Sequence, residues 1–468
     1  MFIIKGINKD VFYLFLSYKF QDSKEINFFD RKNIVNSAKK IIKNLVSEVC
    51  HDGNAFKPSM YNISVPSGNG WLIYNTLFNT MARLNNNEYC KLIGKNKIVG
   101  NKLKSDFVKN GLWCSKETDE KALYLEIAGK YNENGSANKP LAFNLTTTTK
   151  CNARCPYCYE KGVRMVDFPR KKIYQLLNFI ESKLEGRNNR SVVINWFGGE
   201  TLANTTFISE ITEGLKERNI NFSSSIITNG SLISKSMVKT QFVDWNVKDI
   251  QITIDGLKET YEKTKNYSNS FNFTFESLMD IIGFFTDTKI DVHLRLNVSR
   301  ANCQEILKLA EYLQNRFSGF KNIVYYPAFI TGIHDDLSPD EKNNFVKRLL
   351  TVIKNPLKVN MLSRIDSVPQ NHPCMVNDPN SYTIDVNGKI YACEHRVGRP
   401  EHSIGALESF DDNANNRRAV FEIPDYCHNC VYLPKCCGGC SVNDETGDER
   451  CMIVKYLIQS YLEIIASN

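Results

Sequence analysis

The sequence predicts an α/β protein built on a mostly parallel sheet, and three observations predict it. From about residue 141, short apolar runs alternate with helical stretches long enough for one crossover each. At 468 residues the chain exceeds what one hydrophobic core supports, so two or three packed units are expected. Beyond about residue 365 the chain becomes cysteine-rich and turn-rich, which ends the strand and helix alternation.

The apolar runs lie at 141–146, 192–197, 224–228, 249–254, 291–297 and 322–327. Their spacing suits either a doubly wound sheet or a partial barrel, and periodicity does not separate the two. Ahead of them, residues 1–130 read as an α+β region. A strand-like run at 11–16 is followed by a helical pattern at 31–49, with Ile34, Val35, Ala38, Ile41, Ile42 and Leu45 on one face. A second strand-like run at 70–77 leads into short helices that end near Trp113. Polar turn formers at 131–138 cannot bury a face and place a linker at 131–140. Ser338, followed by Pro339, opens a helix towards Val352, and an apolar-periodic helix closes the chain at 452–466. The resulting division is 1–130, 131–140, 141–360 and 361–468.

Composition is that of a soluble globular protein, with 42% hydrophobic and 24% charged residues. Neither end carries a membrane-length apolar run, and the opening six residues are too short for a signal segment, so a cytoplasmic protein without a membrane partner is expected. The net charge of +8 is scattered along the chain, which argues for a mildly basic surface and against a nucleic-acid partner. Fifteen cysteines without an export signal point to metal ligation rather than disulfides. Cys50, Cys90, Cys114 and Cys303 are isolated and read as packing or inert thiols.

The other eleven cysteines fall in two groups. Cys151, Cys155 and Cys158 follow the first strand directly, at the end of the sheet where α/β active sites gather. Three thiolates on a four-iron cluster leave one iron open, and an open position separates a reacting metal centre from a structural one. A three-cysteine zinc site completed by a histidine is the competing reading. Phe197-Gly198-Gly199-Glu200 stands at the end of the second strand, where glycines let the backbone approach a ligand and the acid can accept from an ammonium. The third strand ends in Thr228-Asn229-Gly230, the fourth in Asp255-Gly256, and the fifth carries Arg295 and Asn297.

The Cys-x3-Cys-x2-Cys spacing is the signature of the radical S-adenosylmethionine superfamily, which this segment resembles. The resemblance implies a partial (β/α)6 barrel resembling a TIM barrel and a 4Fe-4S cluster on Cys151, Cys155 and Cys158. It also implies that S-adenosyl-L-methionine binds the open iron and is split to a 5'-deoxyadenosyl radical. Tyr157 then corresponds to an aromatic near adenine. Gly198, Gly199, Glu200, Thr228, Asn229, Asp255, Arg295 and Asn297 correspond to contacts with the cofactor's methionine and ribose.

The second group runs Cys374, Cys393, Cys427, Cys430, Cys436, Cys437, Cys440 and Cys451. Apart from Cys437 it resembles the seven-cysteine SPASM pattern, appended to radical enzymes that modify peptides. The resemblance implies two auxiliary 4Fe-4S clusters, one on Cys374, Cys393 and Cys440, the other on Cys427, Cys430, Cys436 and Cys451. Cys437, Glu394 and His395 are candidates for a further ligand, and two structural zinc sites are the competing reading.

Residues 71–115 are reminiscent of the small winged-helix module that grips leader peptides as an added strand, with a packing or lid extension as the alternative. The expected function is a peptide maturase that installs a thioether or carbon-carbon crosslink in a ribosomally synthesised precursor peptide. The alternatives are an anaerobic sulfatase maturase forming formylglycine from Cys or Ser, and a non-catalytic metal-binding peptide chaperone. A flavodoxin or ferredoxin is the expected electron donor.

Overall fold

The structure is a computed structural model that describes residues 2–3, 55–95, 98–136, 140–158, 160–268, 271–330, 337–353, 375–411, 423–440 and 454–467. The strand expected at 11–16, the helix expected at 31–49 and Cys50 lie outside the described residues. Contacts divide the chain into two units. One comprises 1–136, 361–373 and 421–468, the other 137–360 and 374–420.

The first unit holds β1 (Phe2–Ile3), β2 (Phe56–Pro58), β3 (Asn62–Ser67), β4 (Gly70–Asn75), β5 (Thr80–Asn85) and β6 (Trp113–Ser115). Four of them form an antiparallel sheet in the order β1-β5-β4-β3, and β2 pairs with β6. The β3-β4 hairpin turns at Gly68, whose φ of +55° favours glycine. Ile63 and Val65 alternate inward along β3. The helix Asn86–Leu92 starts from a capping box made by Asn85 and Glu88. The helix Glu120–Ser136 brings Leu123, Tyr124, Ile127 and Ala128 into one core with Tyr61, Leu77, Cys427 and Leu433.

That helix corrects the sequence reading, because 131–136 continues it instead of opening a linker. Once a helix is nucleated, each added residue gains a hydrogen bond, and a polar run without proline does not stop it. The closing helix, expected at 452–466, forms at Val454–Ser467. Its last carbonyls are capped within the unit. Ser67 Oγ donates to Ala466 O and Arg83 Nη2 to Ile465 O, both at 2.8 Å.

The second unit is built on β7 (Leu141–Thr148), β8 (Ser191–Gly198), β9 (Asn221–Thr228), β10 (Val247–Ile254), β11 (Asp291–Val298) and β12 (Ile323–Phe329). All six are parallel, and the sheet runs β12-β11-β10-β9-β8-β7 without reversal. A doubly wound sheet reverses its order at a switch point, so this order is that of a barrel-type winding. One sheet face is apolar, with Phe143, Ile194, Ile226, Ile252 and Leu294 all buried. The other face is polar. Asn195 Nδ2 donates to Asn144 Oδ1 at 2.7 Å, and Ser225 Oγ donates to Asn195 Oδ1 at 2.5 Å. The helix expected from Ser338 forms at Pro339–Val352, with a capping box between Ser338 and Glu341.

Beyond β7 the sheet continues with β13 (Ser381–Ile384), β14 (Lys389–Tyr391) and β15 (Ser403–Ala406). Strand β13 pairs parallel with β7, and Phe143 stacks on Tyr382 at 5.4 Å. The tail read as one region, 361–468, is therefore divided between the two units. Its first half completes the large sheet, and its second half packs with the amino-terminal region. Among the described residues, no helix is long and apolar enough to cross a membrane.

Candidate active site

The site lies at the carboxyl end of β7, where Thr146 to Thr149 lead into the cysteine loop. The loop is pinched at its base by its own return segment. Phe168 N donates to Thr147 O at 3.1 Å, Thr149 N to Val166 O at 2.9 Å, and Thr148 Oγ1 to Asp167 Oδ1 at 2.7 Å. Within it, Cys158 N donates to Cys155 O at 3.2 Å, and Ala153 N points at Cys151 Sγ at 3.4 Å. All three thiols are free and half-buried.

Gly198 and Gly199 seat the end of β8 against this loop. A Cβ on Gly198 would lie 2.2 Å from Thr148 O, and one on Gly199 would lie 2.4 Å from Lys150 O. In their place two hydrogen bonds form, Gly199 N to Thr148 O at 2.9 Å and Glu200 N to Lys150 O at 2.7 Å. The expected close approach is thus to the chain entering the cysteine loop. Glu200 is 1% exposed and accepts from Thr228 Oγ1 at 2.6 Å, Asn229 N at 2.8 Å and Leu202 N at 3.1 Å. Burial pushes its carboxyl up, and these donors pull it back in part. The acid therefore locks the ends of β8 and β9 together.

Asn229 carries the lock into the loop. Its Nδ2 donates to Asn152 Oδ1 at 2.9 Å, and Asn152 Nδ2 donates to Ser231 Oγ at 2.8 Å. The ends of β10 and β11 meet the loop through Tyr157. Its hydroxyl donates to Asp255 Oδ1, and Asn297 Nδ2 reaches both Tyr157 at 2.9 Å and Asp255 Oδ1 at 3.0 Å. Arg295 Nε donates to Asn297 Oδ1 at 3.1 Å. Every predicted residue of this group, from Tyr157 to Asn297, thus falls at one end of the sheet. Asn152, Ser231 and Lys265 belong to the same network and were not foreseen. Asn152 had a signal in its place between two of the cysteines, while Lys265 had none.

The donor set of the loop is three half-buried thiols. Burial raises Cys151 to about 11 and also raises Cys155 and Cys158, so ligation has to displace their protons. The thiols feel one another's charge, yet among the described residues no three Cys, His, Asp or Glu side chains converge on a point that one ion could occupy. Three soft thiols on one loop, each offered to a different iron, fit a cluster, and an amide N–H on Cys151 sulfur favours its thiolate.

A second group of thiols lies in the first unit. Cys427, Cys430 and Cys436 line one pocket with Tyr426, Tyr432, Leu433, Gly438 and Lys455. Cys437 is absent from this lining. It adopts a left-handed conformation with φ of +56°, and its buried thiol is hydrogen-bonded with Tyr124. Cys393 is buried just after β14 in the second unit, and Cys440 is half-buried in the first. Cys374 and Cys451 lie outside the described residues. Of the isolated cysteines, Cys114 is buried and pushed up to about 12 by burial and then by Glu120, whereas Cys90 and Cys303 are half-buried.

A parallel sheet carrying a three-thiol loop at its carboxyl end, with strand-end polar groups hydrogen-bonded to that loop, marks a candidate cofactor site of an α/β enzyme. The model of the Radical SAM superfamily matches residues 145–328, from β7 to β12. This chain is 21% identical over 349 residues to the cysteine-type anaerobic sulfatase-maturating enzyme of Clostridium perfringens, covering 67% of this chain and 92% of that protein. It is 24% identical over 354 residues to the serine-type enzyme of Bacteroides thetaiotaomicron, covering 63% and 80%. The solved structure of native anSMEcpe with bound AdoMet shares the fold, with a TM-score of 0.55 at 18% identity over 70% of this chain and 96% of that one. Residues 145–328 are a radical SAM domain, and the chain is a radical SAM enzyme.

Proposed function

We propose that the chain is a peptide maturase that starts radical chemistry at the cysteine loop. Cys151, Cys155 and Cys158 hold a 4Fe-4S cluster, which when bound supplies the single electron that splits S-adenosyl-L-methionine into methionine and a 5'-deoxyadenosyl radical. The observation that carries this reading is the tethering of one three-thiol loop to the ends of β8, β9, β10 and β11. Through Glu200, Asn229, Tyr157 and Asn297 these strands orient the loop and the polar groups that would hold the methionine and ribose. In this reading the partial barrel's polar face receives the substrate.

The substrate class follows from the relatives, which act on sulfatases, and from a neighbour of the same fold described with AdoMet and the Kp18Cys peptide bound. The product we favour is a thioether or carbon-carbon crosslink in a ribosomally made peptide. Cys427, Cys430 and Cys436 around one pocket, with Cys451, supply an auxiliary 4Fe-4S site, as in a SPASM domain. Such a centre can take the electron that a substrate radical gives up as the new bond closes. We assign leader-peptide binding to the amino-terminal sheet, as in a winged-helix module. In support, β3 pairs only with β4 among the described residues, leaving an edge for an added strand.

Formylglycine formation is the second reading, favoured by the two sulfatase-maturase relatives. Reduced, anaerobically reconstituted protein should release 5'-deoxyadenosine, and Cys155→Ala should abolish release. No release from the wild type would leave a metal-binding chaperone as the better account. With candidate peptides, the products separate by mass and by aldehyde derivatisation, which detects only formylglycine.

A further inference from the structure

The hydroxyl of Tyr157 is held from two strands at once. It donates to Asp255 Oδ1, just past the end of β10, and accepts from Asn297 Nδ2 of β11 at 2.9 Å. Asn297 Nδ2 spends its other hydrogen on Asp255 Oδ1 at 3.0 Å, and Asn297 Oδ1 accepts from Arg295 Nε at 3.1 Å. The second oxygen of Asp255, Oδ2, lies 3.0 Å from Lys265 Nζ, so the carboxylate is neutralised as well as hydrogen-bonded. The same lysine meets the loop's backbone, because Arg154 N donates to Lys265 O at 2.8 Å. Asp255 is 1% exposed and Asn297 is 4% exposed. Their backbones are fixed together, since Asn302 Nδ2 donates to Asp255 O at 2.8 Å and to Asn297 O at 2.9 Å.

Both oxygens of Asp255 and both amide hydrogens of Asn297 are thus engaged within the protein. What they present towards the cysteine loop is a clamp on one hydroxyl. A ring clamped at its polar end is ordered before a ligand arrives, and a flat base can stack on it without first stopping its motion. Ordering such a side chain at the moment of binding would weaken affinity about three- to tenfold.

We propose that Asp255 and Asn297 are positioning residues that act on S-adenosyl-L-methionine through Tyr157: they hold the ring ready for the adenine, and neither touches the cofactor. The sequence pattern alone assigns both as direct contacts. The inference rests on the reading of the cysteine loop as the site of that cofactor, with Tyr157 beside the adenine.

The test is a pair of double-mutant cycles on the dissociation constant of S-adenosyl-L-methionine, measured by anaerobic equilibrium dialysis of the full-length, reconstituted protein with iron content checked. Tyr157→Phe keeps the ring and removes the hydroxyl, and it should weaken binding about three- to tenfold. Asp255→Leu combined with Lys265→Met removes the ion pair whole and leaves no orphaned charge, and it should weaken binding by a similar factor. Asn297→Leu forms the second cycle. In the Tyr157→Phe background neither change should weaken binding further, because the hydroxyl they hold is already gone. Multiplicative losses in that background mean direct contact with the cofactor and overturn the inference. So does a Tyr157→Phe protein with wild-type affinity. Should the Asp255 and Lys265 variant fail to hold iron, the Asn297→Leu cycle decides. A reconstituted wild type that binds no S-adenosyl-L-methionine overturns the reading of the loop itself, an outcome distinct from multiplicative losses.

Discussion

One added methyl group at Gly199 puts the strand-to-loop contact under direct strain. Its Cβ would lie 2.4 Å from Lys150 O and 2.8 Å from Thr149 O, both backbone atoms that cannot rotate aside. Reaching ordinary van der Waals separation requires the loop entry to retreat by roughly 1 Å. Overpacking of this kind costs about 1–3 kcal/mol. The retreat also stretches the bonds from Gly199 N to Thr148 O and from Glu200 N to Lys150 O, each worth about 0.5–1.5 kcal/mol. Gly199→Ala should therefore destabilise the second unit by about 2–6 kcal/mol and lower iron uptake at the core loop. Urea unfolding followed by circular dichroism, with iron counted after reconstitution, measures both. Gly283→Ala is the control. Its Cβ meets nothing within 4 Å in the helix Phe275–Phe284, so it should gain about 0.5–1 kcal/mol. A Gly199→Ala protein with wild-type midpoint and full iron would refute the role given to this contact.

Two further outcomes are expected. Asp249, beside Asp291 where β10 meets β11, is raised to about 6 by burial and then by its neighbour. Because the folded carboxyl holds its proton to higher pH than the unfolded one, stability should fall as pH rises from about 4 to about 6. Asp249→Asn should reduce that slope, leaving the part that buried Asp291 contributes, and stabilise the protein above pH 6 by up to roughly 3 kcal/mol. Melts across pH 4–8 that show identical slopes for both proteins would contradict this. In the first unit, Cys437→Ala should keep the wild-type iron content, while Cys436→Ala should lose about four irons, one cluster's worth. Equal losses from the two variants would make Cys437 a ligand.

The barrel strands were legible because a strand buried on one face leaves an apolar run whatever it packs against. All six runs became β7 to β12 with shifts of a few residues. The cysteine loop and the strand-end residues were legible because close spacing fixes which side chains a short loop can present together. The order of the strands was not legible, since period-2 patterning is the same in a reversing and a sequential sheet. The partners of Glu200 and Asp255 were equally hidden, because a buried carboxylate is satisfied by whichever donors the fold brings near.

By itself the sequence determined the chemistry on offer: three thiols at one strand end, a polar group at each following strand end, and a second set of cysteines downstream. Only the tertiary structure decided that Lys265, over a hundred residues beyond Cys151, lies buried under the loop, and that the tail after 361 is divided between two units. The physical reason is the same in both cases. Local patterns report how a segment meets water and its own neighbours, whereas long-range packing selects which distant segment supplies the opposing charge or the missing face.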